Sequence, residues 1–287
     1  MSVEQDVTVV VKTFQRPDSL CRLLASIRRF YPGIAVVVVD DSEAPLDPVP
    51  EGITSYRHFP FDSLGVSAGR NAGVREVETE YVLISDDDMV LGRKTDLGKM
   101  LRTVRATRFD LVSCRWMDHE PWRSIRRGYR RYEGTLEIAD GTLVHHLGET
   151  RGTIDGLPVF DIVHQFFVTK TELLRENPWD ERFKVAGEHV AFFLALKERG
   201  LLCTRLPDVV VYHYPALPPE YQSFRANTAA DLQLLRETRG FDREFVAGSL
   251  FRPSDAIVHR LPGTVASTGK RAVRVARRLV REGRVRA

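Results

Sequence analysis

Tyr81-Val82-Leu83-Ile84-Ser85-Asp86-Asp87-Asp88 is an apolar run that ends in three consecutive carboxylates. Adjacent ionised acids repel one another, and the tip of an apolar strand solvates them poorly unless a cation or strong donors lie opposite. Hard oxygen ligands on so short a spacing suit Mg2+ or Mn2+, which keep several waters and take further oxygens from a substrate's phosphates. A solvated acidic turn satisfies the same three letters, so the triplet by itself leaves both readings open. Other polar residues recur at comparable places. Thr13 follows the run Val7 to Lys12, Asp40-Asp41 follow Ala35 to Val39, and His213 ends the run from Asp208.

Such positions need strands to carry them. Almost uninterrupted apolar, β-branched runs imply burial on both faces and therefore a parallel sheet. Between them, Leu20, Leu23, Leu24 and Ile27, and later Leu97, Met100, Leu101 and Val104, recur at helical spacing. Strands near 7–12, 35–39, 53–59, 81–88 and 109–114 alternating with helices indicate an α/β fold, an open and mostly parallel Rossmann-like sheet with helices on both faces. Ligands of such sheets sit beyond the carboxyl ends of the strands, where Thr13, Asp41 and Asp88 all fall. From 115 to 160 the pattern breaks into short β-like pieces with turns at Gly134, Asp140-Gly141 and Asp155-Gly156, a small antiparallel insert. A strand over 161–169, a helix near Glu172, a helix from Gly187 closed by Gly200, a strand over 209–212 and one amphipathic helix over 220–239 complete the reading. The expected organisation is one α/β domain in two halves, 1–115 and 116–218, followed by a C-terminal helical extension over 219–269 and a basic tail over 270–287.

The chain has 287 residues, of which 43% are hydrophobic, enough for a sizeable core. Cys21, Cys114 and Cys203 show neither metal spacing nor a disulfide framework, which favours a reducing, cytoplasmic setting. The N-terminus lacks a basic n-region, and Val7 to Val11 is too short for a signal peptide or membrane span. The last 18 residues hold eight basic side chains against Glu282, a net +7 within a chain total of +3, so the rest carries −4. Val273, Ala276, Leu279 and Val280 recur among those arginines at helical spacing. That pattern describes a basic amphipathic helix able to lie on an anionic membrane, or else a solvated tail. A peripheral place at the inner face of a membrane is the matching expectation. Nucleic acid is not expected as a partner, because no zinc-finger spacing or RNA-binding signature accompanies the charge.

Neither GxGxxG nor GxxxxGK[ST] follows the first strand, where dinucleotide and P-loop enzymes place them. Instead Lys12-Thr13-Phe14-Gln15-Arg16-Pro17, VVVVDDS, GVSAGRNAGV and YVLISDDD occur in that order. Together they resemble the family 2 glycosyltransferases of the GT-A fold. That resemblance implies that Thr13 and Asp41 contact uracil and ribose with Arg16 close by, that Arg70 lies near the diphosphate, and that Asn71 holds the loop. It makes Asp86 and Asp88 the two acids of a DXD motif, Asp88 as metal ligand and Asp86 toward the ribose or a metal-bound water, with Asp87 between them in the nucleotide-sugar group and supporting the turn. Gly187-Glu188-His189 matches a GED-like motif and makes Glu188 the base, although His189 replaces the second acid; as a structural role, Glu188 would favour the helix N-terminus. His213 matches a histidine that some GT-A enzymes use as a further metal ligand, against a purely structural role.

The second half, HQFFVTKTELLRENPWDERFKVAGEHVAFFLALKERG followed by DVVVYH, is similar to the ganglioside-type β1,4-N-acetylgalactosaminyltransferases. What this implies is an inverting, Mn2+- or Mg2+-dependent transfer of an N-acetylhexosamine, GalNAc favoured, from a UDP-sugar to a glycan or glycolipid, with polysaccharide biosynthesis on a surface glycan as its setting. Trp116, Trp122, Tyr129, Tyr132 and Trp179 offer flat faces for sugar stacking, which core packing explains equally well. Two rival readings are a sugar nucleotidyltransferase and a non-catalytic module that docks on anionic membranes or partners. The first expects a Gly-rich loop after strand one, which Lys12 to Pro17 does not supply; the second leaves the acidic strand ends unexplained.

Overall fold

The computed structural model describes residues 2–119, 127–216, 218–226 and 228–248. A short helix α1 (Val3–Asp6) leads into β1 (Val7–Thr13), α2 (Pro17–Phe30), β2 (Ala35–Asp40), β3 (Ser55–His58), α3 (Gly65–Arg75) and β4 (Tyr81–Asp86). Beyond the acidic turn come β5 (Met89–Val90), α4 (Leu97–Ala106), β6 (Leu111–His119) and β7 (Arg127–Arg130). The insert holds β8 (Gly134–Ala139), β9 (Thr142–Leu147), β10 (Thr153–Ile154) and β11 (Leu157–Pro158). Then follow β12 (Phe167–Lys170), α5 (Thr171–Glu176), α6 (Glu188–Glu198), β13 (Cys203–His213), α7 (Pro219–Arg225), α8 (Ala229–Arg239) and β14 (Arg243–Ala247).

A nine-stranded sheet runs β3-β2-β1-β4-β12-β6-β13-β5, with β7 beside β6. Strands β3, β2, β1 and β4 are parallel, and β6 pairs parallel with β13. Alternation along β1 divides the core: Val7, Val9 and Val11 pack with Leu20, Leu23 and Ile27 of α2 on one face, and Val10 packs with Val74 of α3 on the other. Both faces are therefore covered, as continuous valine runs require. The four apolar residues of α4 named above are all buried.

Three expectations are corrected. The strand over 161–169 narrows to Phe167–Lys170 and enters antiparallel between β4 and β6, pairing Phe167 with both Ile84 and Ser113. Its first residues leave the ladder because Asp161 turns aside to accept from Leu136 N and from Lys197 Nζ, both at 2.9 Å. The single helix over 220–239 is two, α7 and α8. Asp231 in the first turn of α8 accepts from the backbone N–H groups of Lys184, Val185 and Ala186, which fixes α8 independently of α7. The C-terminal extension is not all helix: β14 lies parallel to β9 in a second, three-stranded sheet β14-β9-β8. Trp122 and the basic tail over 270–287 lie outside the described residues. Among the described residues no helix is long and apolar enough to cross a membrane.

Candidate active site

The parallel strands deliver their carboxyl ends to one edge. β1 registers Lys12 against Asp86 and Thr13 against Asp40. Immediately after β4 the chain turns through Asp87 and Asp88 into β5, which pairs antiparallel with the end of β13, Met89 opposite His213. The Tyr214 N–H donates to Asp88 O at 2.8 Å and closes this junction. Backbone pairing thus brings residues 88 and 213 together, and the same register sets His213 beside Asp118. His213 Nε2 lies 3.4 Å from Asp88 Oδ2, and Nδ1 lies 2.8 Å from Asp118 Oδ1. Burial works against charge on His213, but the hydrogen bonds to Asp118 and Asp88 outweigh it and raise the imidazole to about 9.

The three acids face different ways. Asp87 is fully buried, accepts from Thr13 Oγ1 at 2.8 Å and is paired with Arg16. It has no surface on the cavity, so it anchors Thr13 and Arg16 from beneath, in place of the ligand-facing position expected for it. Burial, together with the charge of Asp88, raises its pKa despite Arg16. Asp88 goes the other way: burial opposes ionisation, but His213 and Arg16 overcome it and lower the pKa. Arg16 Nη1 reaches Asp88 Oδ2 at 2.8 Å while its guanidinium lies 4.2 Å from the centre of the Tyr221 ring on α7. Burial disfavours the Arg16 cation, and Asp87 and Asp88 hold it charged.

Asp86 is reached from α3. Arg70, 4% exposed in its side chain, donates from Nη2 to Asp86 Oδ1 at 2.8 Å and from Nη1 to Glu188 Oε1 at 3.3 Å. The glycine-rich segment explains why an arginine can sit there. A Cβ on Gly73 would lie 2.4 Å from Val10 Cγ1, and one on Gly69 2.3 Å from Lys12 Cδ, so two glycines four apart let α3 press directly on β1. Asn71 docks the helix to the second half, exchanging bonds with the Trp179 backbone at 2.9 and 3.0 Å. Glu188 opens α6 directly after Gly187, which adopts φ +76°. An L side chain is strained at that angle, which gives the glycine of this motif its conformational reason.

A cavity of about 420 Å3 lies over this edge, and of the expected site residues Thr13, Arg16, Asp41, Arg70, Asp86, Asp88, Glu188 and His213 all line it. Lys12 was not among the expected residues. Its Nζ pairs with Asp41 and donates to Thr13 O at 2.7 Å, while Asp41 Oδ2 accepts from the N–H groups of Leu64 and Gly65. A lysine at the tip of a valine run was the available signal, because a buried ammonium demands an acid. Trp116 is also resolved: it is sandwiched between His164 and His213 at centroid distances of 4.4 and 4.7 Å, and Trp179 is a core residue stacked on Phe192.

For a divalent cation, Asp88 and His213 offer one carboxylate and one imidazole, and Asp88 Oδ1 is buried without a hydrogen-bond partner. That open acceptor fits a cation. Among the described residues no three His, Cys, Asp or Glu side chains group to enclose one, so further oxygens have to come from a substrate or water. Ligation through His213 further requires it to give up its proton.

Comparison with known proteins follows the same lines. The family described as Glycosyl transferase family 2 matches residues 8–177. Beta-1,4 N-acetylgalactosaminyltransferase 2 of Mus musculus is 32% identical over 241 residues, 79% of this chain and 45% of the relative. Beta-1,4 N-acetylgalactosaminyltransferase 1 of Homo sapiens is 36% identical over 218 residues, 72% of this chain and 38% of the relative. The chain thus spans less than half the length of these relatives. Among solved structures, S. aureus TarS 1-349 in complex with UDP-GlcNAc aligns with a TM-score of 0.55 at 17% identity, covering 76% of this chain and 61% of that one. Its complex with UDP aligns with a TM-score of 0.53 at 18% identity, covering 77% and 63%. These likenesses show the GT-A fold. The chain belongs to glycosyl transferase family 2.

Proposed function

We propose that this chain transfers an N-acetylhexosamine, GalNAc before other sugars, from a UDP donor to a hydroxyl of a glycan or glycolipid acceptor, with inversion at the anomeric carbon. The observation that carries the reading is the Arg70 bridge, one guanidinium held between Asp86 of the acidic turn and Glu188 of the second half. A group on the donor side and a group able to take a proton are thereby fixed across one cavity. The names of the relatives, at 32% and 36% identity, support the choice of GalNAc, and the ligands of the TarS structures support UDP.

In this reading Thr13, Arg16 and Asp41 hold uridine, with Lys12 fixing Asp41. Arg70 lies toward the diphosphate, and Asp86 toward the ribose. Glu188 takes the proton of the attacking hydroxyl as it displaces the leaving group in line, which inverts the configuration. Asp88 and His213 would hold a Mn2+ or Mg2+, which would supply positive charge against the diphosphate of the leaving group. Calorimetric titration with UDP and Mn2+ tests the donor site: Mn2+-dependent UDP binding that Asp88→Ala weakens at least tenfold is expected. Absence of UDP binding, or binding indifferent to that substitution, overturns it.

The basic residues of 270–287 support a peripheral place on an anionic membrane for a cytoplasmic enzyme of surface-glycan synthesis. Removing that stretch is expected to reduce binding to anionic vesicles and to spare turnover on a soluble acceptor; loss of turnover as well would put the tail in the active site.

A further inference from the structure

On α2, Arg22, Ala25, Ser26 and Arg29 are spaced to share one face of the helix. Ser26 Oγ donates to Leu23 O at 2.7 Å and accepts from the Leu91 N–H at 2.9 Å, and so clamps the chain leaving β5 against that face. Between them lies a groove of about 510 Å3, separate from the cavity over the acidic turn. Its floor is made of small residues, Ala25, Ser26 and Gly92, and its walls of Phe30, Tyr212 and Tyr214. Gly92 is needed there, because a Cβ would stand 2.5 Å from the Tyr212 ring.

The charge in this groove is of one sign. Arg29 and Arg93 line it, Arg22 lies 5.6 Å from the centre of the Tyr214 ring, and no acid contributes to the lining. Among the described residues none of these three arginines has an acidic partner, unlike Arg16, Arg70 and Arg105 elsewhere in the fold. Guanidinium forks without an acidic partner match carboxylate and phosphate groups, and the half-buried rings of Phe30 and Tyr212 offer apolar surface to the C–H faces of sugar rings, whereas Tyr214 is already stacked on His119. No acid is present to hold a cation, and an apolar segment would leave the two lining arginines, Arg29 and Arg93, without partners.

Position adds to chemistry. The wall residues Tyr212 and Tyr214 flank His213, and Tyr214 is bonded through its N–H to Asp88 O. The groove thus lies at the end of β13 that is bonded to the acidic turn, on the face of the sheet opposite to His213.

We propose that this groove binds an anionic carbohydrate chain, the part of the acceptor remote from the hydroxyl that receives the sugar. The proposal rests on the reading of the acceptor as a glycan. Titration of the full chain, saturated with UDP, against tetragalacturonate and against neutral chitotetraose tests it. Tetragalacturonate is expected to bind at least tenfold more tightly than chitotetraose and to weaken as salt is raised. The triple variant Arg22→Gln, Arg29→Gln, Arg93→Gln is expected to abolish that preference while keeping UDP affinity within twofold, which also reports an intact fold. Because the basic tail is present in both proteins, its contribution cancels. Unchanged tetragalacturonate binding in the variant, displacement by equimolar inorganic sulfate, or a response confined to phosphatidylserine vesicles overturns the proposal. UDP binding without tetragalacturonate binding defeats the groove alone, whereas failure of the wild-type chain to bind UDP defeats the donor reading instead.

Discussion

Arg16 Nη1 stands 2.8 Å from Asp88 Oδ2, so the acid best placed to hold a metal is already neutralised by the chain's own cation. Two adjacent buried carboxylates could not both ionise without such a partner. The arrangement stabilises the buried acids and competes with any ion that needs the same oxygen.

Arg16→Gln is therefore expected to lower stability by about 3 kcal/mol in chelator, the cost of leaving buried acids unpaired. Mn2+ should restore part of that loss and bind roughly tenfold more tightly than to the wild type, a gain of about 1.4 kcal/mol. Thermal melts with and without Mn2+, together with calorimetry, measure both. Equal Mn2+ affinity in the two proteins would remove Arg16 as the competitor.

Glu188→Gln keeps the shape of the side chain and its contact with Arg70 through an amide oxygen. UDP affinity should stay within about twofold, while transfer falls by roughly 100-fold or more, the scale of a lost general base. Steady-state turnover beside a UDP titration decides this; a variant that retains a third of its activity excludes Glu188 as base.

Burial lowers three histidines, His164 and His189 in the cavity lining and His145 outside it: His145 to about 4, His189 to about 3 and His164 well below its ordinary value. His164 donates from Nε2 to Arg130 O, and its Nδ1 is buried without a hydrogen-bond partner, so a second proton on that nitrogen would find no acceptor. Each folded pKa lies under the unfolded value of about 6.5, so the unfolded chain binds the extra protons. The stability these neutral rings contribute is full above pH 6.5 and is lost as pH falls toward 4, by up to about 1.4 kcal/mol per pH unit for each ring. Urea denaturation at pH 7, 6 and 5 should show the decline, and His145→Asn should reduce its slope. Flat stability across that range would contradict it.

Gly73 and Gly69 predict opposite kinds of damage. Gly73→Ala drives a methyl into the stiff Val10 side chain and should cost about 1–3 kcal/mol while leaving turnover per folded molecule intact. Gly69→Ala displaces the flexible Lys12 side chain, so UDP affinity should suffer more than the melting temperature. Urea unfolding and UDP titration on both variants give the contrast; identical profiles would refute it.

How much of this was legible in the sequence depends on whether a residue's partner is local. Valine runs state their own burial, and the positions after them state the edge they reach, which made Thr13, Asp41 and the acidic turn readable. The direction in which Asp87 points is decided by Arg16 and Thr13, 71 and 74 positions away, and no spacing rule carries that. The role of Lys12 is not legible locally because its acid, Asp41, follows the end of the neighbouring strand β2. The break between α7 and α8 follows from Asp231 reaching the loop at 184–186, again a distant contact. Five apolar residues at 161–169 and three valines at 209–211 look alike in pattern, yet only pairing partners reveal that β12 runs antiparallel.

That antiparallel β12 also bears on how the molecule comes into being. Ile84 finds one of its neighbours in Phe167, so β4 has an uncovered side until the ribosome has made another 80 or so residues. Pairing across such a distance closes late and slowly. The nascent first half is thus an open sheet with a sticky flank, a natural client for a chaperone, and β12 is the strand whose arrival ends that exposure.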